Sequence, residues 1–365
     1  MPKDLSSMLK IYGVIIVLLS FLNVWMLISM NNMQAKLLQS EKKVRMLEEK
    51  IEMLKSGKMV IPIEARSLVI GVSGNRFTLN GRPIFLLGIS AFDAIGKMKD
   101  EDLDELRRLG FNLIRVWADW RENTIFNPDG SINFTKLNEL KALVEACAKR
   151  RIVVDLALFD SSLTFGDDQA KRRKAAEILT RELLGFRNMI FDVMNEHDHS
   201  GATMTHEEVK EIRDIIKSID PNRVVTVSSC EEHLITSKGE LVEQNILEEV
   251  NVVKVDVLTP HLPRTEDWWN QTARRVQKIR GFLNSINKSL PIYLQEENRR
   301  GWGGFWPTKD QFLTALRQAY ESGAAGWVFH TDAGFDLSSG SIFTFLDDVE
   351  KEVVKELRSV ISDDL

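Results

Sequence analysis

Cysteine is scarce: Cys147, in a segment with helical spacing, and Cys230, just after an apolar run, are the two in 365 residues. Two thiols cannot form a disulfide framework in a chain of this length, so a buried core must hold the fold together. Charge of one sign is lacking too. The 48 basic and 53 acidic side chains leave a formal charge of -5. Neither a basic block nor an acidic tail stands out, which argues against nucleic acid as a partner. No Gly-x-Gly-x-x-Gly follows the first apolar strand, which speaks against a dinucleotide-binding sheet, and no His-Glu-x-x-His marks a zinc site. What the chain has is 44% hydrophobic residues, enough for one large α/β domain of about 250 to 300 residues.

Residues 11–30 (IYGVIIVLLSFLNVWMLISM) carry no charge. At 1.5 Å per residue, about 20 apolar-dominated positions match the roughly 30 Å hydrocarbon core, so residues 1–30 read as a membrane anchor in contact with the lipid bilayer. A cleaved signal peptide is the alternative, but the run is long for one and no Ala-x-Ala-like site follows. Lys3 and Lys10 precede the run while Lys36, Lys42, Lys43 and Arg45 follow it, a balance that literally favours an internal domain. The expectation is nevertheless a single-pass protein with the domain beyond the span extracytoplasmic. Met30, Met33, Leu37, Val44, Leu47, Ile51 and Leu54 then follow a heptad a/d pattern broken at Ser40. Residues 31–57 therefore read as a short coiled-coil stalk that would make a homo-oligomer, or else as a solvated helix without a partner.

Ser56-Gly57 and Ile61-Pro62 end the helical pattern, and the domain is expected over residues 65–365. Asn80-Gly81 between two apolar segments predicts a hairpin. Short β-rich runs then alternate with amphipathic helices: strands near Ile84 to Ile89, Phe111 to Val116, Ile152 to Leu158, Met189 to Met194, Val224 to Val227, Val253 to Leu258, Ile292 to Gln295 and Gly326 to Phe329. Eight such units predict an α/β fold of the (β/α)8 TIM-barrel kind, with an open doubly wound sheet as the competitor.

Two carboxylates fall at strand ends: Asn195-Glu196 closes Met189-Ile-Phe-Asp-Val-Met, and Glu296 closes Pro291-Ile-Tyr-Leu-Gln. A parallel barrel gathers its strand ends on one face, where two carboxylates can share the cleavage of an acetal. Glu297 competes with Glu296, since strand neighbours point to opposite sides. His197, Asp198 and His199 invite a metal reading, but without a recognised ligand spacing the expectation is no metal and no cofactor.

The ordered set Phe77-x-Leu-Asn-Gly-Arg-Pro-x-Phe-Leu-Leu-Gly88, Leu109-Gly-Phe-Asn-Leu-Ile-Arg115, Asn195-Glu196, His261, Glu296 and Trp327 resembles the clan A glycoside hydrolases, especially the family 5 cellulases and mannanases. The resemblance implies a retaining hydrolase of β-linked oligo- or polysaccharides, with Glu196 as acid/base and Glu296 as nucleophile. It further implies that Arg115 holds the nucleophile, Asn195 bonds the sugar 2-hydroxyl, His261 supports the site and Trp327 floors the central sugar subsite. Trp117, Trp120, Trp302 and Trp306 are candidates for further sugar platforms. Ionised Glu296 is expected to raise the pKa of Glu196 and keep it protonated. Two departures stand out. The histidine expected after strand three is missing from Leu158-Phe-Asp160-Ser-Ser, and Pro263 replaces a tyrosine that would bond the nucleophile. They motivate the alternative of a catalytically weakened carbohydrate-binding or scaffolding ectodomain.

Overall fold

Asn80 and Gly81 take φ of 53° and 78°, the left-handed pair that a two-residue hairpin turn demands and that glycine adopts without strain. The turn joins β2 (Arg76–Leu79) to β3 (Arg82–Ile84), and β1 (Ile70–Ser73) pairs antiparallel on the other side of β2. This computed structural model describes residues 67–160, 164–200 and 204–361, all within the unit Ile61–Leu365. The expected span at 11–30 and stalk at 31–57 lie outside the described residues. Among the described residues no helix is long and apolar enough to cross a membrane.

Parallel strands follow: β4 (Leu86–Ser90), β5 (Leu113–Trp117), then a small antiparallel pair β6 (Asp119–Trp120) and β7 (Asn123–Thr124), then β8 (Val153–Phe159), β9 (Met189–Met194), β10 (Val224–Thr226), β11 (Ser228–Ser229), β12 (Thr259–Pro260), β13 (Tyr293–Leu294) and β14 (Gly326–Phe329). Seven of them form one curled parallel sheet in the order β10-β9-β8-β5-β4-β14-β13. The gap between its edges is bridged by parallel pairing of β11 with β12 and by a single Leu258–Ile292 bridge toward β13. The architecture is that of a TIM barrel, with helices such as Phe134–Lys149, His206–Ile219 and Trp268–Ser285 in the connections.

Alternation along the strands sets the layers. Leu86, Leu113, Val153, Ile190, Val224, Tyr293 and Val328 face inward and form one buried cluster with Phe77 and Ile70 of the hairpin, so the hairpin covers the amino-terminal ends of the strands. One step further, two residues on, the inward positions are Arg115, Asp155 and Asp192, all fully buried. Gly88 pairs with Leu113 one level below, and a Cβ there would lie 2.4 Å from Leu113 Cδ2. The outward positions Leu87, Ile114, Val154, Phe191 and Trp327 pack instead with the helices.

Seven strands lie close to their expected places, but the sixth does not. Glu248–Val253 winds as a π-helix, and the pairing strand is Thr259–Pro260. The last helix, expected over Phe343 to Val360 from its apolar spacing, is divided into Ile342–Phe345 and Asp348–Val360, because Asp347 caps the second with a reciprocal Glu350 bond.

Candidate active site

Glu196 and Glu296 meet across His261. His261 Nδ1 lies 2.8 Å from Glu196 Oε1 and 3.9 Å from Glu296 Oε2, and one atom from each of the three groups falls within a common 4.8 Å. Strand β9 ends at Met194, and Glu196 takes φ of 49°. A left-handed conformation at a non-glycine residue costs on the order of 1–2 kcal/mol, and here it turns Glu196 toward the barrel mouth.

Arg115 organises the floor. Its Nη1 donates to Glu296 Oε1 at 2.6 Å, and its Nη2 donates to Asp192 Oδ2 and to Asn195 Oδ1, each at 2.8 Å. Asp155 stands farther off, 3.5 Å from Nε, and accepts from Tyr293 Oη and Gln295 Nε2. One guanidinium thus faces three carboxylates. Burial, with Asp192 nearby and only partial relief from Arg115, raises Asp155 to about 7.

Burial would also raise Glu296, which is 5% exposed, yet His330, His261 and Arg115 more than offset it and lower it to about 2. Arg115 at 2.6 Å and Arg264 at 3.4 Å are the permanent cations on that carboxylate, while burial pulls the pKa of His330 down. Glu196 is also lowered to about 2: burial pushes it up, but the hydrogen bond and charge of His261 outweigh that. The expectation that Glu296 would keep Glu196 protonated is therefore corrected. His261 lies nearer to Glu196 than to Glu296, so its effect falls chiefly on Glu196.

A sequence-family model described as Cellulase (glycosyl hydrolase family 5) matches residues 77–287. The chain belongs to glycosyl hydrolase family 5. No curated protein matches it. Among solved structures, a Bacteroides vulgatus protein assigned as a glycoside hydrolase aligns with a TM-score of 0.60 and 14% identity, over 81% of this chain and 61% of that one. The chain thus spans about three fifths of that relative. The β-mannanase of the blue mussel Mytilus edulis aligns with a TM-score of 0.56 and 15% identity, over 81% of this chain and 98% of its own. A family 5 enzyme of Prevotella bryantii B14, solved as a mutant with a xyloglucan tetradecasaccharide, aligns at 0.53 and 14%, over 76% and 96%.

Within this family 5 domain, the aromatic candidates part company. Trp327 is 1% exposed, packs with Phe329 outside the strands, and donates its indole N–H to Glu297. Its expected place under a sugar is corrected: the inward residues of β14 are Gly326 and Val328, and Trp327 has the opposite parity. Trp117 does face inward, stacked on Phe92 at 3.6 Å between ring centroids and lying over Arg115 at 4.4 Å. Phe92 and Trp120 cover it, with Phe335 packed against Phe92, leaving 1% exposed. Trp302 is 36% exposed and stacks on Arg264, and Trp306 is exposed beside Arg300. Trp120 is half-buried, its indole bonded to the Phe335 carbonyl.

The structure separates the adjacent carboxylates. Glu297 is buried against Thr272 Oγ1 and Trp327, and burial raises its pKa. Strand parity alone would not have chosen between them. Gln295 also faces the interior, and Glu296 joins it because pairing ends at Leu294 and the backbone turns.

Four residues at the site escaped the sequence reading. Arg264, directly after Pro263, places Nη2 3.4 Å from Glu296 Oε2, and His330 Nε2 lies 3.5 Å from the same oxygen while accepting from Arg299. They stand where the missing tyrosine was expected to act. Asp155 and Asp192 had a signal: each is a carboxylate in the middle of an otherwise apolar strand.

Proposed function

We propose that this glycoside hydrolase cleaves β-linked glycans of the cellulase or mannanase type by double displacement. The observation that carries the reading is the approach of one carboxylate oxygen of Glu196 to one of Glu296 within 4.8 Å, in keeping with the roughly 5–5.5 Å carboxyl separation of retaining enzymes rather than the roughly 6.5–9.5 Å of inverting ones. Glu296, held ionised by Arg115, attacks the anomeric carbon and forms a glycosyl ester. The Glu196–His261 pair delivers the proton that lets the glycosidic oxygen leave, and then takes one from the water that hydrolyses the ester. Asn195, anchored on Arg115, is assigned to the sugar 2-hydroxyl, and Trp302 to an outer sugar platform.

The test is hydrolysis of an activated aryl β-glycoside by the full chain, followed by a panel of mannan, glucan and xyloglucan. Loss of turnover in Glu296→Gln supports the reading, and unchanged turnover overturns it. A second reading, a binding or scaffolding domain that has lost turnover, draws on the covered Trp117 and the outward Trp327. It requires glycan binding by the wild type with no hydrolysis at all. Transglycosylation is separated from hydrolysis by product analysis at high acceptor concentration.

The charge-free run at 11–30 supports a single-pass anchor and the heptads after it support pairing through 31–57, while the extracytoplasmic side rests on the glycan substrate alone. Detergent extraction and protease protection in sealed vesicles test the first, and cross-linking tests the second.

A further inference from the structure

A second cluster lies beside the active site and has no part in the hydrolytic chemistry. His197 follows Glu196 but points away from it, His206 opens the helix His206–Ile219, His233 lies in the segment after β11, and Glu249 belongs to the π-helical turn Glu248–Val253. They bring together three of the chain's six histidines, with one ligand atom from each of the four groups within a common 4.8 Å.

The outer nitrogen of each ring is anchored. His197 Nδ1 donates to the Met204 carbonyl at 2.9 Å, His206 Nδ1 to Glu248 Oε2 at 2.5 Å, and His233 Nδ1 to Asp198 Oδ2 at 2.8 Å. Asp198 is itself held by the Cys230 N–H at 2.7 Å. With the ring proton committed to Nδ1, each Nε2 presents a lone pair, as orienting partners arrange around metal-binding histidines. All three Nε2 atoms are buried without a hydrogen-bond partner.

Glu249 is fully buried. Burial and the nearby Asp198 push its carboxyl well up, and neither carboxylate oxygen has a hydrogen bond. Among the described residues no lysine or arginine pairs with it. Its Oε1 lies 4.0 Å from His197 Nε2, too far for a hydrogen bond. Four acceptors therefore face one another, and a cation between them satisfies all four at once.

We propose that His197, His206, His233 and Glu249 bind one zinc-class divalent cation as a closed, four-ligand structural site. Three imidazoles and a carboxylate suit such an ion, and four protein ligands leave it no open position for catalysis. Metal–ligand bonds of about 2.0–2.1 Å put tetrahedral ligands about 3.3 Å apart, so the groups draw in by about an ångström. Adjacent carboxylates of one π turn take different tasks: Glu248 orients His206 and Glu249 ligates. The ion ties four segments together and steadies the backbone that presents Glu196.

The full chain, purified without a polyhistidine tag or chelator, tests this by elemental analysis and by zinc titration after stripping. One equivalent per chain is expected, with a higher Tm on adding zinc and the visible spectrum of tetrahedral cobalt on substitution. His206→Ala and His233→Ala change half-buried rings and should weaken zinc by about a hundredfold or more, with far-UV dichroism unchanged. Asp198→Asn, which removes an orienting acceptor, should weaken it about 10- to 100-fold. His261→Ala should keep the full equivalent, which separates this cluster from the Glu196, His261 and Glu296 trio. A folded wild type that takes up no zinc overturns the proposal, as does an equivalent that survives both histidine variants or is lost only in His261→Ala. None of these readouts requires turnover.

Discussion

The peptide bond between Glu196 and His197 divides two polar clusters with opposite electrostatic logic. On the Glu196 side the acids meet donors: Glu296 takes Arg115 and Arg264, and Glu196 takes His261. On the His197 side, acceptors face acceptors around Glu249. The first cluster is complete in charge and leaves its chemistry for an uncharged glycan. The second is incomplete until a cation enters. Buried polar groups are costly unless satisfied, so the unpaired atoms report what is missing from a site as clearly as the paired ones report what is present.

The comparison breaks most sharply at Glu296. In Glu296→Gln the amide cannot form the glycosyl ester, so kcat on an activated aryl β-glycoside should fall on the order of 10⁴-fold or more. Bound zinc should stay at its wild-type level. Parallel loss of metal would show that the two clusters are one unit. Next is Arg115→Lys, which replaces a fork serving Glu296, Asp192 and Asn195 by a single ammonium that can serve about one of them. A fall in kcat of roughly 10²–10³-fold is expected, again with metal retained.

Much of this was legible in the chain. Met189–Met194 and Gly326–Phe329 are strands at their expected bounds, because apolar runs between amphipathic helices have few other ways to be buried. Asn80-Gly81 turned as its φ preferences require. Strand six was misplaced because Val253, Val255 and Val257 carry β-branched side chains, whereas the π turn takes Val253 and pairing begins only at Leu258. The histidine cluster was hidden by distance along the chain. His197 was noticed beside Asp198 and His199, but its partners His206 and His233 arrive from later segments, at no recognisable ligand spacing, and His199 lies exposed outside the cluster. Trp327 was read by analogy, and a one-residue difference in facing direction decided against it.

A third prediction sharpens the account of charge around Arg115. Asp155 is raised from 3.8 to about 7, so between about pH 4 and 7 the folded chain holds a proton there that the unfolded chain has released. Stability from this group is full below about pH 4 and is lost as pH rises through 7, with a slope of up to about 1.4 kcal/mol per pH unit. Asparagine can still accept from Tyr293 and Gln295 while staying neutral. The difference in urea midpoint between wild type and Asp155→Asn should therefore grow in favour of the variant from pH 4.5 to 7.5. A constant difference would mean that Asp155 is ionised throughout, fully paired with Arg115.

The smallest effect tests where Trp327 points. Phenylalanine preserves most of the ring's packing but removes the N–H that bonds Glu297 Oε2, leaving that oxygen without its donor while Thr272 Oγ1 still serves Oε1. A buried acceptor that loses its donor costs about 1–3 kcal/mol. Glu297 is raised by burial and so enters the fold readily as the neutral acid, which keeps the loss toward the lower end. Trp327→Phe should therefore lower Tm by a few degrees at neutral pH, and less at pH 5, where Glu297 more easily carries its proton. KM should not move, because a ring on the helix side of β14 never meets substrate. A several-fold rise in KM with no change in Tm would return Trp327 to the barrel mouth. It would also make the Glu297 contact incidental, whereas loss of stability alone places the residue in the wall that holds Glu296 against Arg115.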